Sequence, residues 1–300
     1  MIHFLTTRRH DYTIRGFLDA GGAALAGHVH PVAYEDVLDA DPGTLPGGAW
    51  IFTDYDRLTA DRSQAAARLW RHLAARGCRM LNHPTRSLRR YALLRRLREA
   101  GINDFDVGQA TDLRAPRRYP VFLRRMDAHS GPASQLLADR AALKRAIEAG
   151  SARGWPFESF AVVEFQETRS PDGRYRKYSV MKIGDRLFAI ALFRSDHWIN
   201  KDATEAIWSP EAIAEDADYV ASNPFREAAE AAYRLGGIDF GRMDFAVADG
   251  RIQVWEINTN PDLNGSSYHF PFRQPGAGAA IGNIVEALRA LDTAPAAAGQ

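Results

Sequence analysis

The sequence predicts a mixed α/β protein, in which a small N-terminal α/β domain precedes a larger part built on antiparallel strands. Two observations predict this fold class. Residues 2–80 alternate strand-like and helix-like runs, as an α/β layer structure requires. Residues 118–190 instead show strand patterns with a helix between them, and a strand hairpin follows at 241–261. The 300 residues suffice for about two domains with real cores.

The N-terminal elements follow from short apolar runs and their boundary residues. Strands are predicted at residues 2–5, 50–53 and 78–81, and helices at 12–20 and 62–76. Gly21-Gly22 and Gly77 end the two helices. The glycine pairs are turn or cap residues, because no glycine-rich phosphate-loop pattern occurs.

The remaining elements come from the same patterns further along the chain. Ser87 is the predicted N-cap of a helix over 87–100, which Gly101 ends. An antiparallel sheet with one helix is predicted over 118–190, with strands at 119–124, 160–167, 175–183 and 187–193 and the helix at 136–149. Two later helices are predicted at 224–235 and 281–291.

Composition limits the classes of function. A formal net charge of +1 argues against a general nucleic-acid or membrane-surface binder, because such proteins carry a basic excess. Cys78 is the only cysteine, which excludes an internal disulfide and a cysteine-based zinc site. The nine histidines show no HExxH-like spacing, which disfavours a zinc hydrolase. No apolar run resembles a signal peptide or membrane helix, so a cytoplasmic protein is expected.

The hairpin at 241–261 carries the most informative chemistry. Asp244 lies on its first strand, and Glu256 and Asn258, two residues apart, share one face of its second strand. Such an all-oxygen set suits Mg²⁺, which shares its ligands with phosphates. The alternative is an edge hairpin with solvated charges. It is weaker, because buried-looking residues precede Glu256.

The hairpin register decides whether these ligands meet. Asp244 lies opposite Glu256 only if the loop has an odd number of residues, for instance Asp249-Gly250-Arg251 with Gly250 at positive φ. A two-residue Asp249-Gly250 turn would pair Asp244 with Trp255 instead. We expect the longer loop.

An Asp followed about a dozen residues later by Glu-x-Asn resembles the metal motif of the ATP-grasp superfamily, and in particular its carboxylate–amine ligases. These include ligases of the ribosomal-protein glutamate ligase and D-alanine–D-alanine ligase type. The resemblance makes Asp244, Glu256 and Asn258 ligands of Mg²⁺ or Mn²⁺. It also assigns Arg242, two residues before the Asp, to phosphoryl transfer.

The same resemblance implies how ATP is held. Arg90 and Arg124 stand where the family has phosphate-binding lysines, although ordinary solvation is the alternative for Arg90 in its Arg-rich helix. Arginine keeps the charge but not the geometry of lysine. The strand at 160–167 resembles the adenine-binding segment. Its expected contacts are the backbone of Glu164, Phe165 and Gln166 and, at the ribose, Glu167; a surface ion pair is the alternative for Glu164. The loop 127–132 resembles the one that closes over ATP.

Substrate residues are the least defined part of the prediction. Where the related ligases place an arginine, this chain has Ser179, with Arg176 and Lys177 nearby. Loops after strands often bind substrates. The complete set of candidate substrate residues is Arg176, Lys177, Ser195, His197 and Asn260. His197 could act as a base, but such a histidine is more often only hydrogen-bonded.

The resemblance implies a domain division and an activity. The N-terminal α/β domain (1–81) precedes a hinge helix and linker (82–117), a small ATP-grasp lobe (118–190), a C-terminal lobe with the metal site (191–292) and a flexible tail (293–300). The implied activity joins a carboxylate, activated by ATP as an acyl phosphate, to an amine, with small molecules or peptides as substrates. A homo-oligomer fits many relatives, whereas nucleic acid and membrane are not expected partners. An ATP-grasp kinase and a non-catalytic nucleotide-binding module are the alternatives.

Overall fold

The computed structural model describes residues 1–112, 116–126, 131–200, 206–264 and 274–293. Residues 127–130 of the loop predicted to close over ATP lie outside these ranges, as does the predicted tail from residue 294. No helix within the described ranges is both long enough and apolar enough to span a bilayer.

The N-terminal part is a parallel four-stranded sheet with the strand order β2-β1-β3-β4. Its strands are β1 (Ile2–Thr6), β2 (Val29–Ala33), β3 (Ala49–Phe52) and β4 (Arg79–Leu81), and its helices are α1 (Tyr12–Leu18), α2 (Tyr34–Val37) and α3 (Ala60–Ala75). The predicted strands and helices of this region are confirmed, whereas β2 and α2 were not predicted. Pro31 hides β2 from a strand pattern, yet it is tolerated there because β2 is an edge strand.

A second, three-stranded antiparallel sheet has the order β5-β7-β6. Its strands are β5 (Val107–Gln109), β6 (Val121–Arg125) and β7 (Phe160–Glu164), and the helices of this region are α4 (Arg90–Glu99) and α5 (Arg140–Ala152). Ser87 is not the N-cap of α4, which begins after Arg89. The Ser87 hydroxyl donates instead to the carbonyl of Gly237 at 2.5 Å, so it joins two distant segments.

The third sheet is antiparallel and has the order β11-β10-β8-β9. Its strands are β8 (Tyr175–Ile183), β9 (Arg186–Ser195), β10 (Phe240–Ala248) and β11 (Arg251–Asn258), and the helices of this region are α6 (Pro210–Ser222), α7 (Arg226–Gly236) and α8 (Gln274–Thr293).

The prediction of one sheet across residues 118–190 is wrong. β8 pairs with β10 along its length, from Ile183 opposite Phe240 to Tyr178 opposite Phe245. The strands of this region therefore divide between the second and third sheets, and the predicted lobe boundary after residue 190 would fall inside β9. Long-range pairing decided this, and periodicity does not report it.

One hydrophobic core lies between the second and third sheets, with Phe122 and Val163 contributing from one and Phe245 and Val254 from the other. Asn82 joins the N-terminal sheet to the third sheet. It is buried with left-handed backbone (φ 56°), and its amide donates to the carbonyls of Phe52 (3.1 Å) and Phe240 (2.9 Å). Its side-chain oxygen accepts from the N–H groups of Asp239 and Phe240. The end of β3 is thereby held beside the start of β10.

Candidate functional site

A β-bulge in β11 brings the predicted metal ligands together. The hairpin turn has two residues, Asp249 and Gly250, both at positive φ (49° and 74°), and Ala248 pairs with Arg251. The predicted three-residue loop is therefore wrong. Asp244 nevertheless lies opposite Glu256, because the register shifts beyond Phe245 and leaves Trp255 as the extra residue. The expected pairing is thus confirmed, and its cause is the bulge.

The Asp244 carboxylate is buried and held from two sides. Arg242 contacts it through Nε (3.0 Å) and Nη2 (3.3 Å), and the Ser179 hydroxyl donates to Oδ1 at 2.8 Å. Burial opposes the charge of the Arg242 guanidinium, but Asp244 and then Glu256 outweigh this effect and raise its pKa. Ser179 therefore helps to position the first carboxylate.

The Glu256 carboxylate is shared by two further arginines. Nη2 of Arg90, on α4, and Nη2 of Arg124, on β6, both donate to Oε2 of Glu256, the second at 2.7 Å. All three side chains are at most 13% exposed. Burial lowers the pKa of Arg124, although Glu256 opposes that shift. The buried Nε of Arg124 makes no hydrogen bond to the described residues.

Asn258 completes the predicted ligand set. It pairs with Arg242 across the strands, and its side-chain oxygen accepts from the backbone N–H of Asn260 at 2.9 Å. Among the described residues, no group of three or more His, Cys, Asp or Glu side chains could hold a metal ion. A cation here would therefore have two carboxylates and the Asn258 amide oxygen as donors, which fits a hard divalent ion that retains water.

A cavity of about 290 Å³ opens beside these charges, between the second and third sheets. Arg124, Arg242, Asp244, Glu256 and Asn258 line one part of it. The other part is aromatic and is formed by Phe122, Phe165, Tyr175, Trp198 and Trp255. The ring centre of Trp198 lies 5.1 Å from that of Phe122 and 5.7 Å from that of Phe165. One end of the cavity thus suits a flat apolar group and the other suits bound anions and cations.

The predicted adenine segment is only partly beside this cavity. Phe165 and Gln166 line it. The Glu164 carboxylate turns away and accepts the N–H groups of Asp106, Arg117 and Arg118, beside a second cavity of about 510 Å³.

Two backbone N–H groups of the predicted adenine segment already donate hydrogen bonds within the protein. The N–H of Glu164 donates to Asp106, and that of Phe165 donates to Pro120. Glu167 accepts the N–H groups of Thr168 and Arg169, so its carboxylate is occupied in a turn.

The five candidate substrate residues separate into two groups. Arg176 and Lys177 line the cavity, and the guanidinium of Arg176 pairs with Asp172 and Glu215. Ser195, His197 and Asn260 do not line it. Ser195 accepts the N–H of His197, whose Nδ1 in turn accepts the N–H of Ile199, so both stabilise a turn.

Asn260 connects the end of the β10–β11 hairpin to the N-terminal part of the chain. Its side-chain N–H group donates to the Thr6 hydroxyl (3.2 Å) and to the carbonyl of His10 (3.1 Å). Its side-chain oxygen accepts from the Thr13 hydroxyl at 2.8 Å. The loop between β1 and α1 is therefore fixed to a residue two positions after Asn258.

Sequence reasoning missed part of the cavity wall, namely Phe122, Tyr175, Asn200 and Trp255. Trp255 carried a usable signal. The even-numbered residues Ile252 and Val254 are buried in the core, whereas Glu256, which is also even-numbered, lies at the cavity. When every second residue of a strand is first apolar and then polar, the pattern indicates a bulge between the two halves of the strand.

No family model matches the sequence, and no curated protein is significantly similar to it. Solved structures, in contrast, match nearly the whole chain. The D-alanine–D-alanine ligase of Bacillus anthracis complexed with ATP is 15% identical, with a TM-score of 0.55 and 97% of both chains covered. The ATP-grasp ligase PsnB, complexed with a phosphomimetic variant of its minimal precursor, Mg and ADP, is 15% identical, with a TM-score of 0.60 and 97% of both chains covered.

A RimK domain ATP-grasp protein of Sphaerobacter thermophilus is 20% identical, with a TM-score of 0.53 and coverage of 94% of this chain and 99% of that one. Likeness at this level of identity establishes architecture. The chain has the fold of the ATP-grasp ligases.

Proposed function

We propose that the protein is an ATP- and Mg²⁺-dependent ligase that activates a carboxylate as an acyl phosphate and joins it to an amine. One observation carries the proposal. The carboxylates of Asp244 and Glu256 lie opposite each other, each held by arginine, at the polar end of a cavity with an aromatic wall.

Three guanidiniums are suited to a polyphosphate. Arg90 on α4 and Arg124 on β6 contact Glu256 on β11, and Arg242 contacts Asp244 on their shared strand β10. Arginines bind phosphate oxygens in pairs, and positive charge stabilises a phosphoryl group in transfer. The aromatic end of the cavity is the place for adenine, beside Phe165 and Trp198.

The donor set fits a divalent cation. Asp244, Glu256 and Asn258 would hold Mg²⁺ or Mn²⁺, which would neutralise charge on the phosphates when bound. Arg242 lies next to Asp244 and opposite Asn258, where its guanidinium can hold the oxygens of an acyl phosphate.

The direct test is a screen of the purified protein with ATP, Mg²⁺ and pairs of amino acids, recording phosphate release and product mass. A ligase gives stoichiometric phosphate release that requires both an acid and an amine, together with a condensed product. A kinase gives a phosphorylated product without an amine. Tight ATP binding without hydrolysis under every condition would favour a non-catalytic module.

A further inference from the structure

We propose that His10, oriented by Asp54, is the catalytic base that removes a proton from the amine substrate. The proposal rests on the proposed ligase function, because only an amine acceptor needs this step. The two residues lie 44 positions apart, and no part of the nucleotide site uses them.

The geometry is that of an oriented histidine. Nδ1 of His10 lies 2.7 Å from the Thr7 hydroxyl and 3.1 Å from Oδ2 of Asp54. The Asp54 carboxylate also accepts from the Thr7 hydroxyl and forms an ion pair with Arg57, whose Nε lies 2.7 Å from Oδ1. Because oxygen acceptors face Nδ1, the neutral ring carries its proton there. Nε2, which has no hydrogen-bond partner among the described residues, is then left as the acceptor.

His10 and Asp54 differ in how far their side chains are exposed. The Asp54 side chain is 2% exposed, whereas that of His10 is 19% exposed. Burial raises the pKa of Asp54, which the Thr7 hydrogen bond and the charge of Arg57 oppose. Two groups face this pair from the N-terminal side, namely Thr7 after β1 and the ring of Tyr12 on α1, whose centre lies 6.2 Å from that of the imidazole. Two more, Asp56 and Arg57, face it from the segment after β3. An aspartate in such a place orients a histidine, and the histidine remains open to a ligand.

The pair lies at the ligand-binding edge of the N-terminal sheet. In the order β2-β1-β3-β4, the chain passes from β1 outward to β2 and from β3 outward to β4, in opposite directions. Such a reversal of direction leaves a crevice between the carboxyl ends of β1 and β3. His10 follows β1, and Asp54 follows β3 in left-handed backbone conformation (φ 53°). Ligands of open α/β sheets bind in such crevices.

Two contacts direct this edge toward the β10–β11 hairpin. The carbonyl of His10 accepts from Asn260, whose own N–H donates to the side chain of Asn258. Independently, Asn82 fixes the end of β3 beside the start of β10, the strand that carries Arg242. The backbone of His10 is therefore linked through Asn260 to the side chain of Asn258, which lines the cavity, although His10 and Asp54 do not line it themselves.

The proposed step balances. An ammonium proton passes to Nε2 of His10, and the nitrogen lone pair of the neutral amine forms the C–N bond with the acyl carbon. The bond from that carbon to the phosphate oxygen breaks, and the phosphate leaves with the electron pair and takes up the second proton of the nitrogen. His10 then releases its proton to water.

Hydroxylamine separates this step from acyl phosphate formation, because it is already unprotonated at neutral pH and needs no base. The wild type and His10→Gln receive ATP, Mg²⁺ and the amino acid that gives the largest phosphate release in the screen above, with either hydroxylamine or the matching amine as acceptor. His72→Gln, at an exposed position in α3, is the control.

We expect His10→Gln to form hydroxamate within a few-fold of the wild-type rate and amide at a rate lower by about 100-fold or more, with partial recovery at higher pH. Asp54→Asn should show the same selective loss to a smaller degree. Equal losses with both acceptors, or no loss with the amine, would overturn the assignment. Failure of the wild type to form any carboxylate-dependent hydroxamate would instead refute the ligase function, and the role of His10 with it.

Discussion

The shared carboxylate of Glu256 allows a quantitative test of the arginine cluster. Glu256→Gln removes a negative charge that contacts both Arg90 and Arg124, and these side chains are 9% and 13% exposed. Removing one partner of a buried ion pair destabilises a protein by roughly 3–5 kcal/mol, because the remaining charge is left uncompensated. We expect a loss of that size in the free energy of unfolding, measured by urea denaturation without ligands.

Glu99→Gln is the matched control. Glu99 also pairs with two arginines, Arg95 (3.9 Å) and Arg96 (3.3 Å), but it is 50% exposed. An exposed pair contributes only about 0–1 kcal/mol. ATP without metal should restore part of the stability of Glu256→Gln, because phosphates replace the lost carboxylate. Losses of equal size in the two variants would refute the reasoning.

Four further predictions concern single residues. Asp244→Asn should lower turnover by about 100-fold or more, measured by phosphate release, because one of the two carboxylates at the proposed cation site loses its charge. Arg124→Lys should bind ATP about tenfold more weakly by calorimetry, since the paired donors are lost and the charge is kept. Asn82→Ala should lower the free energy of unfolding by about 3–5 kcal/mol in urea, because four hydrogen bonds and a favourable left-handed residue are lost. Burial lowers the pKa of His3 below its ordinary value of 6.5, because it disfavours the charged imidazole, so the fold loses stability as the pH falls through 6.5. Between about pH 7 and pH 5, the free energy of unfolding measured in urea should therefore fall less for His3→Gln than for the wild type.

Local pattern was sufficient for most strands. Runs such as those of β1 and β3 are mainly apolar and short, so their positions follow from the chain itself. Asp244 and Glu256 were expected to meet, and they do. The cause was mistaken, since a tight two-residue turn followed by a bulge gives the same pairing as a longer loop without one.

The features that were missed depend on distant partners. The joining of β8 to β10 crosses more than fifty residues, and no periodicity reports it. His10 and Asp54 meet only because β1 and β3 are neighbours in a parallel sheet. The expected backbone contact of Glu164 with adenine stays a prediction, and the Glu164 side chain lines the second cavity rather than the first.

The extra residue in β11 has a practical consequence for engineering. Up to residue 254, the even-numbered positions Ile252 and Val254 belong to the interior, whereas from residue 256 the even-numbered positions Glu256 and Asn258 face the cavity. A mutant library that assumes one uniform alternation would randomise interior positions while aiming at binding positions. Libraries for altered specificity should therefore change parity at Trp255, and grafts of this hairpin onto other scaffolds should retain the additional residue.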